Sequence, residues 1–250
     1  MFARTLAVIF LFAPTVFNEL LNDPELLAGF YQGDIKAYPF RSRNGIVNQI
    51  YHWPNRTVQY MIETNEFDDS HHQEILRAIS IIEANSCVIF QPATETDFPR
   101  LVITSKGIGC NSAFLGYRNK TQLVNLQIFP LGVGCFRIGS IIHELLHVLG
   151  FEHQHVAHNR DQYVSIQWEN INPVYNINFF NNDNSTAWHD FHEGYDFESV
   201  MHYVPKAFSK NGQPTIVPLQ DGPANIGQRL YMSEKDIRKL NKMYRCPGYV

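Results

Sequence analysis

From Thr57 to Glu63, Val58, Tyr60 and Ile62 interleave with Gln59 and Met61, and this period of two predicts a half-buried strand. Short apolar runs at Cys87–Phe90, Leu101–Thr104 and Ser112–Tyr117, and the alternating Val124, Leu126 and Ile128, predict further strands. Ser70 with Gln73 has the form of a capping box and opens a helix whose apolar face is Ile75, Leu76, Ile79 and Ile82. His71 and His72 fall in its first turn and read as a solvated pair. Ile142, Leu145, Leu146 and Leu149 recur at helical spacing and predict a second helix held against a core. A third opens on Ser233 as N-cap and runs to about Tyr244, with Ile237, Leu240 and Met243 inward. After Asp161 the chain is rich in Asn, Pro, Gly and aromatics, which predicts mostly irregular structure.

The second helix carries the chemistry, within HELLHVLGFEHQH, His143 to His155. His143 and His147 are four apart, so they project from one helix face and can share an ion. Glu144 lies one position round, where its carboxylate can reach a water on that ion. His153 would lie about 15 Å from His143 along an unbroken helix, too far to join them. Gly150 resolves this: it can take the left-handed conformation that ends a helix and turns His153 back under the ion. Three neutral imidazoles with an open fourth position describe a catalytic zinc site. HExxH alone recurs by chance on buried helices, but HxxGxxH following in register argues against chance. His155 and His158, past the third ligand, read as surface residues or supports of the ligands.

At 250 residues there is room for one large domain or two small ones. The net charge of -4, with no basic run, gives no footprint for nucleic acid. Arg4 followed by apolar Leu6–Ala13 fits a signal peptide, drawn here as residues 1–17, although a buried N-terminal strand shares the pattern. No second long apolar stretch appears, so no stable membrane association is expected. The four cysteines fit two disulfides in an oxidising compartment, with three possible connectivities, and imply a secreted, extracellular protein. Sequons at Asn55, Asn119 and Asn184 are candidate glycosylation sites. Between the signal and the body, a short leader ends at Arg41-Ser42-Arg43, either a trypsin-like cleavage site or solvated surface.

HELLHVLGFEH with RDQYVSI (Arg160–Ile166), SVMHY (Ser199–Tyr203), and IGQR (Ile226–Arg229) with the helix closing at Cys246 resemble the astacin family of metzincin zinc endopeptidases. The match runs from about Tyr31 to Cys246. The resemblance implies an α+β fold: a twisted upper sheet with a backing helix and the zinc-site helix, above an irregular lower subdomain ending in a C-terminal helix. It implies an endopeptidase acting on protein or peptide substrates with one Zn2+ on His143, His147 and His153, and Glu144 as general base. Met201 would lie beneath the metal, and Tyr203 would approach it and then swing out to the oxyanion; on sequence alone both read as core residues. Cysteine order would pair Cys87 with Cys246 and Cys110 with Cys135.

The leader's YQGD, Tyr31–Asp34, resembles the family's propeptide motif, with Tyr31 in place of Phe, and would put Asp34 on the metal in the zymogen. An activating protease would cut the propeptide, residues 18–43, from the peptidase domain, residues 44–250, at Arg43–Asn44. Substrate would lie extended along a sheet edge near Ser112–Tyr117, and Lys206 would favour an acidic residue after the scissile bond. The chain departs from the family at Gln154, usually Glu facing the mature N-terminus, and at Ala157 and Asn159, often Arg and Asp. Two other readings remain at this point: a catalytically weak or inactive peptide-binding relative, and a structural zinc domain closed by Cys110 or Cys135 as fourth ligand.

Overall fold

A computed structural model describes residues 23–36, 46, 48–94, 96–181, 190–219 and 226–249. The signal segment, the junction at Arg41, Arg43 and Asn44, and the sequon at Asn184 lie outside the described residues. The leader enters as one helical turn, α1 (Pro24–Leu27), capped by Asp23. In strand β1 (Thr57–Ile62) Val58, Tyr60 and Ile62 are buried and their neighbours partly exposed, as the alternation requires.

Helix α2 (Asp69–Ala84) begins two residues earlier than the Ser70–Gln73 box would have it. Asp68 is the cap: its carboxylate accepts the His71 N–H at 2.9 Å and the Ser70 hydroxyl at 2.7 Å. His71 is buried rather than solvated, with Nε2 donating to the Phe129 carbonyl at 2.9 Å and its ring edge-on to Phe136. Strand β2 is Ile89–Pro92, two residues beyond the apolar run, and β3 is Leu101–Thr104.

Strand β4 is only Cys110–Ser112. Beyond Ser112 the backbone turns to other partners: Gly116 N–H donates to the His147 carbonyl at 2.9 Å and Tyr117 N–H to the Tyr51 carbonyl at 2.6 Å. The expected strand over Ser112–Tyr117 is therefore absent. Strand β5 (Gln122–Leu126) stops short of Ile128, which is exposed. The sheet order is β2-β1-β3-β5-β4, parallel except for the antiparallel edge strand β4.

Helix α3 (Ile138–Leu149) packs against α2, and every residue from Gly139 to Leu149 is buried. Ile142, Leu145 and Leu149 join Val58, Ile75, Ile82 and Leu101 in the upper core. The lower half has its own core around Ile171, Phe179, Tyr195, Tyr203 and Ile216. It holds short 3-10 turns and one small ladder, β6 (Val164–Ile166) against β7 (Ile216–Pro218). The last helix, α4 (Glu234–Met243), starts on a capping box of Ser233 and Asp236 and returns Leu240 and Met243 to the upper core. Disulfides join Cys87 to Cys246 and Cys110 to Cys135. Asn55 and Asn119 are exposed, and no helix among the described residues is long and apolar enough to cross a membrane.

Candidate metal centre

Helix α3 presents His143 and His147 on one face, and Gly150, at φ 110°, ends it by donating to the Leu146 and His147 carbonyls. An added Cβ at Gly150 would meet nothing closer than 3.6 Å, so the glycine is needed for its backbone conformation and not for space. The turn brings His153 Nε2 to 3.2 Å from His143 Nε2, which is 3.1 Å from His147 Nε2. Each Nδ1 donates away from this point: His143 to the Val200 carbonyl at 2.8 Å, His147 to Phe151 at 2.7 Å and His153 to the Gln32 side-chain carbonyl at 2.7 Å. These bonds leave three Nε2 lone pairs aimed at one another. Burial holds the His147 and His153 imidazoles below their usual range, His153 to about 3, and so neutral.

Three lone pairs converging in a buried site suit a cation between them. Nitrogens 2.0–2.1 Å from a tetrahedral zinc stand about 3.3 Å apart, close to the spacing found here. A carboxylate that could act as a fourth donor lies beside them: Asp34 has Oδ2 at 3.1 Å from His143 Nε2 and 3.2 Å from His153 Nε2, and Oδ1 at 3.5 Å from His147 Nε2. The donor set fits one zinc. All four cysteines are in disulfides, so none can close the sphere as a thiolate.

Glu144 is fully buried and neither carboxylate oxygen has a protein hydrogen-bond partner. Burial, reinforced by Asp34 and Glu25 of the leader, pushes its carboxyl well above the usual range. Met201 is fully buried, and its carbonyl accepts the Gln154 N–H at 3.0 Å. The α4 cap fixes this turn, since Asp236 also accepts the Ser199 hydroxyl at 2.6 Å and the Val200 N–H at 2.8 Å. Tyr203 does not point its hydroxyl at an imidazole; it donates to the Gln32 carbonyl, and burial keeps the phenol protonated. His155 is fully buried, stacked on Tyr203 with centroids 3.7 Å apart, so it supports that ring and is not a surface residue. His158 is exposed, and Lys206 is half-buried beside a hollow lined by Leu26 and Leu27 of the leader.

The leader's grip escaped the sequence reading. Glu25 and Arg229, both buried, pair through Arg229 Nε at 2.9 and 2.7 Å from the two carboxylate oxygens. Arg137 Nη2 reaches Asp23 at 2.8 Å. Burial alone would raise the Glu25 carboxyl, but the Arg229 guanidinium, helped by Arg137, holds it well below the carboxylate range. Gln32 and Gly33 take φ of 48° and 86°, and a Cβ on Gly33 would lie 2.8 Å from the Glu25 carbonyl. This turn sends Asp34 into the imidazoles. Asp34 O then accepts the Ser112 N–H at 2.8 Å, and Lys36 N–H donates to the Ser112 carbonyl at 2.9 Å, so the leader pairs with edge strand β4.

Gln154 meets a cation from within the chain: the buried Lys239 ammonium donates to its side-chain oxygen at 2.8 Å, with Asp236 and Asp196 acting at longer range. Gln154→Glu should turn this into a charge-assisted bond and stabilise the fold by about 1–2 kcal/mol, a Tm rise of about 2–6 °C. An unchanged or lower Tm, by calorimetry, would show that Lys239 is already fully compensated.

Residues 45–245 match the family model described as Astacin, a peptidase family. The chain is 80% identical over 251 residues to Seminal metalloprotease 1 of Drosophila melanogaster, covering 100% of both chains. It is 36% identical over 220 residues to human Meprin A subunit beta, covering 86% of this chain and 30% of that one. In structure it is similar to High choriolytic enzyme 1, a hatching enzyme zinc-protease from Oryzias latipes (medaka fish). That match has a TM-score of 0.70 and 32% identity over 79% of this chain and 96% of that one. A histidine triad suited to one zinc, on a five-stranded sheet with few helices, together with these likenesses, establishes that the chain belongs to the astacin family of zinc metalloendopeptidases.

Proposed function

We propose that the chain is a secreted zymogen whose signal peptide is residues 1–17 and whose propeptide, residues 18–43, is cut from the peptidase domain at Arg43–Asn44 by an activating protease. Two disulfides support an oxidising, extracellular setting. The seminal metalloprotease that matches the chain over its whole length points to a seminal secretion. The substrates are proteins or peptides, bound extended along the edge strand β4.

The observation that carries the mechanism is the Glu144 carboxylate, buried and without a protein partner beside the three imidazoles. His143, His147 and His153 would hold the zinc, which when bound would lower the pKa of a water to about 7 and polarise the substrate carbonyl. Glu144 takes the water's proton as general base and passes it to the leaving amine. Met201 lies in the apolar floor under the site. Tyr203, a protonated phenol, loses the Gln32 carbonyl when the leader departs and turns its hydroxyl to the developing oxyanion. Asp34, beside the three Nε2 atoms, would silence the precursor by filling the space that the water needs.

The test is peptide hydrolysis by the processed protein with and without a chelator. Activity should vanish on chelation and return with one equivalent of zinc per chain. Hydrolysis that persists with all metal removed would end this reading.

A further inference from the structure

One polar side chain of the lower half meets the main chain of the leader: Asn178, in the 3-10 segment Pro173–Phe179 and 2% exposed. Its Oδ1 accepts the Gln32 main-chain N–H at 2.9 Å, and the Gln32 main-chain carbonyl accepts the Tyr203 hydroxyl. Both main-chain groups of residue 32 are thus bound in a way that takes no account of its side chain. Two residues on, Asp34 lies beside the three Nε2 atoms, and Ile35 then bridges to Ser112 of β4. The leader backbone is held on both sides of the metal point, by Asn178 and Tyr203 before it and by β4 after it.

Asn178 is firmly set. Its own carbonyl accepts from His155 Nε2 at 2.9 Å, and the next carbonyl, of Phe179, accepts from Arg160 Nη1 at 2.7 Å. Phe179 is fully buried, edge-on to Tyr203 and His155. Yet Nδ2, the donor end of the same planar amide, is buried without a hydrogen-bond partner in the protein. A buried donor left unpaired is costly, and the leader does not pair it. We infer that Asn178 is a substrate-binding residue: its amide grips the main chain of an extended peptide, Oδ1 accepting an N–H and Nδ2 donating to a C=O. The inference rests on the endopeptidase reading and on departure of the leader. In an extended chain the N–H and C=O of one residue project to the same edge, so one side-chain amide can meet both. The leader uses the acceptor alone, because its carbonyl goes to Tyr203. In catalysis that phenol turns to the oxyanion, which leaves the carbonyl of a bound peptide to Nδ2. Contacts of this kind give affinity and position without selecting a side chain.

The test uses the processed, zinc-loaded enzyme and a peptide that it cleaves. The peptide is remade with each main-chain N–H near the scissile bond, other than that of the bond itself, replaced in turn by an ester oxygen. At one position the ester should lower kcat/KM by about tenfold or more with Asn178 intact, and by less than about twofold with Asn178→Leu, which keeps the volume and removes both polar atoms. Esters that interrupt pairing with β4 should cost the same in both backgrounds, so the cycle isolates the contact to Asn178 from any general effect of the substitution. Mass spectrometry of the products confirms that the same bond is cut. Ester penalties that are all unchanged by Asn178→Leu overturn the inference. Asn178→Ser, too short to reach the peptide, repeats the comparison, so poor folding of one variant leaves the test standing.

Binding gives the second arm. In processed Glu144→Gln, which holds a peptide while cutting it slowly, the Kd values of the same ester series should single out the same position. Hydrogen exchange of residues 30–36 in the full-length chain separates a contact that serves the leader alone. Faster leader exchange in Asn178→Leu, with kcat/KM of the processed enzyme unchanged, overturns the inference. No cleavage of any library peptide by the processed enzyme would instead remove the endopeptidase reading, and binding then decides. Library peptides whose Kd rises about tenfold on Asn178→Leu keep Asn178 as a main-chain contact, and unchanged Kd values end it.

Discussion

Glu144→Ala is expected to lower kcat/KM of the processed enzyme by about a hundredfold to ten-thousandfold, the range of a general base in a hydrolytic step. The zinc should stay, because no hydrogen bond ties Glu144 to the three imidazoles; His143 and His147 are oriented through Nδ1 by the Val200 and Phe151 carbonyls, which stay with the peptidase domain. The fold should also stay, because the carboxylate forms no hydrogen bond with the protein. Glu144→Gln keeps the shape and removes the basicity, which separates a cavity effect from loss of the base. Metal analysis and circular dichroism check the first two expectations, and peptide hydrolysis the third. Retained activity in both variants, with zinc bound, would sink the mechanism.

How much of this was legible in the sequence depended on where each residue's partners lie. The zinc helix could be read because its information is local: two ligands on one helical face, an apolar stripe behind them, and a glycine at the position where the chain must turn. Ser233 was equally local, since its capping partner Asp236 is three residues away. His71 was misjudged, and His155 could not be told apart as surface residue or support, because burial is decided at a distance. His71 lies under Phe136 and against the Phe129 carbonyl, and His155 under a tyrosine from another segment. The strand over Ser112–Tyr117 failed for a related reason: its apolar residues are needed, but its backbone bonds go to Tyr51 and His147. The Glu25–Arg229 pair spans 204 residues, and no periodicity or motif spacing could have joined them.

That pair matters for the second large effect, the release of latency. In a precursor made uncleavable by Arg41→Ala and Arg43→Ala, Asp34→Ala is expected to raise basal peptidase activity by about a hundredfold to a few thousandfold, with the rate of the processed enzyme as the ceiling. Asp34 faces three imidazoles in a fully buried site. Removing one partner of a buried charged contact costs about 3–5 kcal/mol, and each 1.4 kcal/mol is tenfold in the docking equilibrium. The leader would still be held by Glu25 on Arg229, Asp23 on Arg137 and the β4 pairing, so it should open more often without unfolding. Glu25→Ala in the same uncleavable precursor weakens docking at a distance from the metal and strands Arg229 without its counter-ion. It should raise activity by a comparable factor with Asp34 present. Combining the two should bring the precursor closest to the processed enzyme. The comparison is with the uncleavable precursor bearing both acids. Equal, negligible activity in Asp34→Ala and that parent, with zinc bound in each, would mean that Asp34 is not the switch; a rise in Glu25→Ala alone would then assign latency to the arginine clamp.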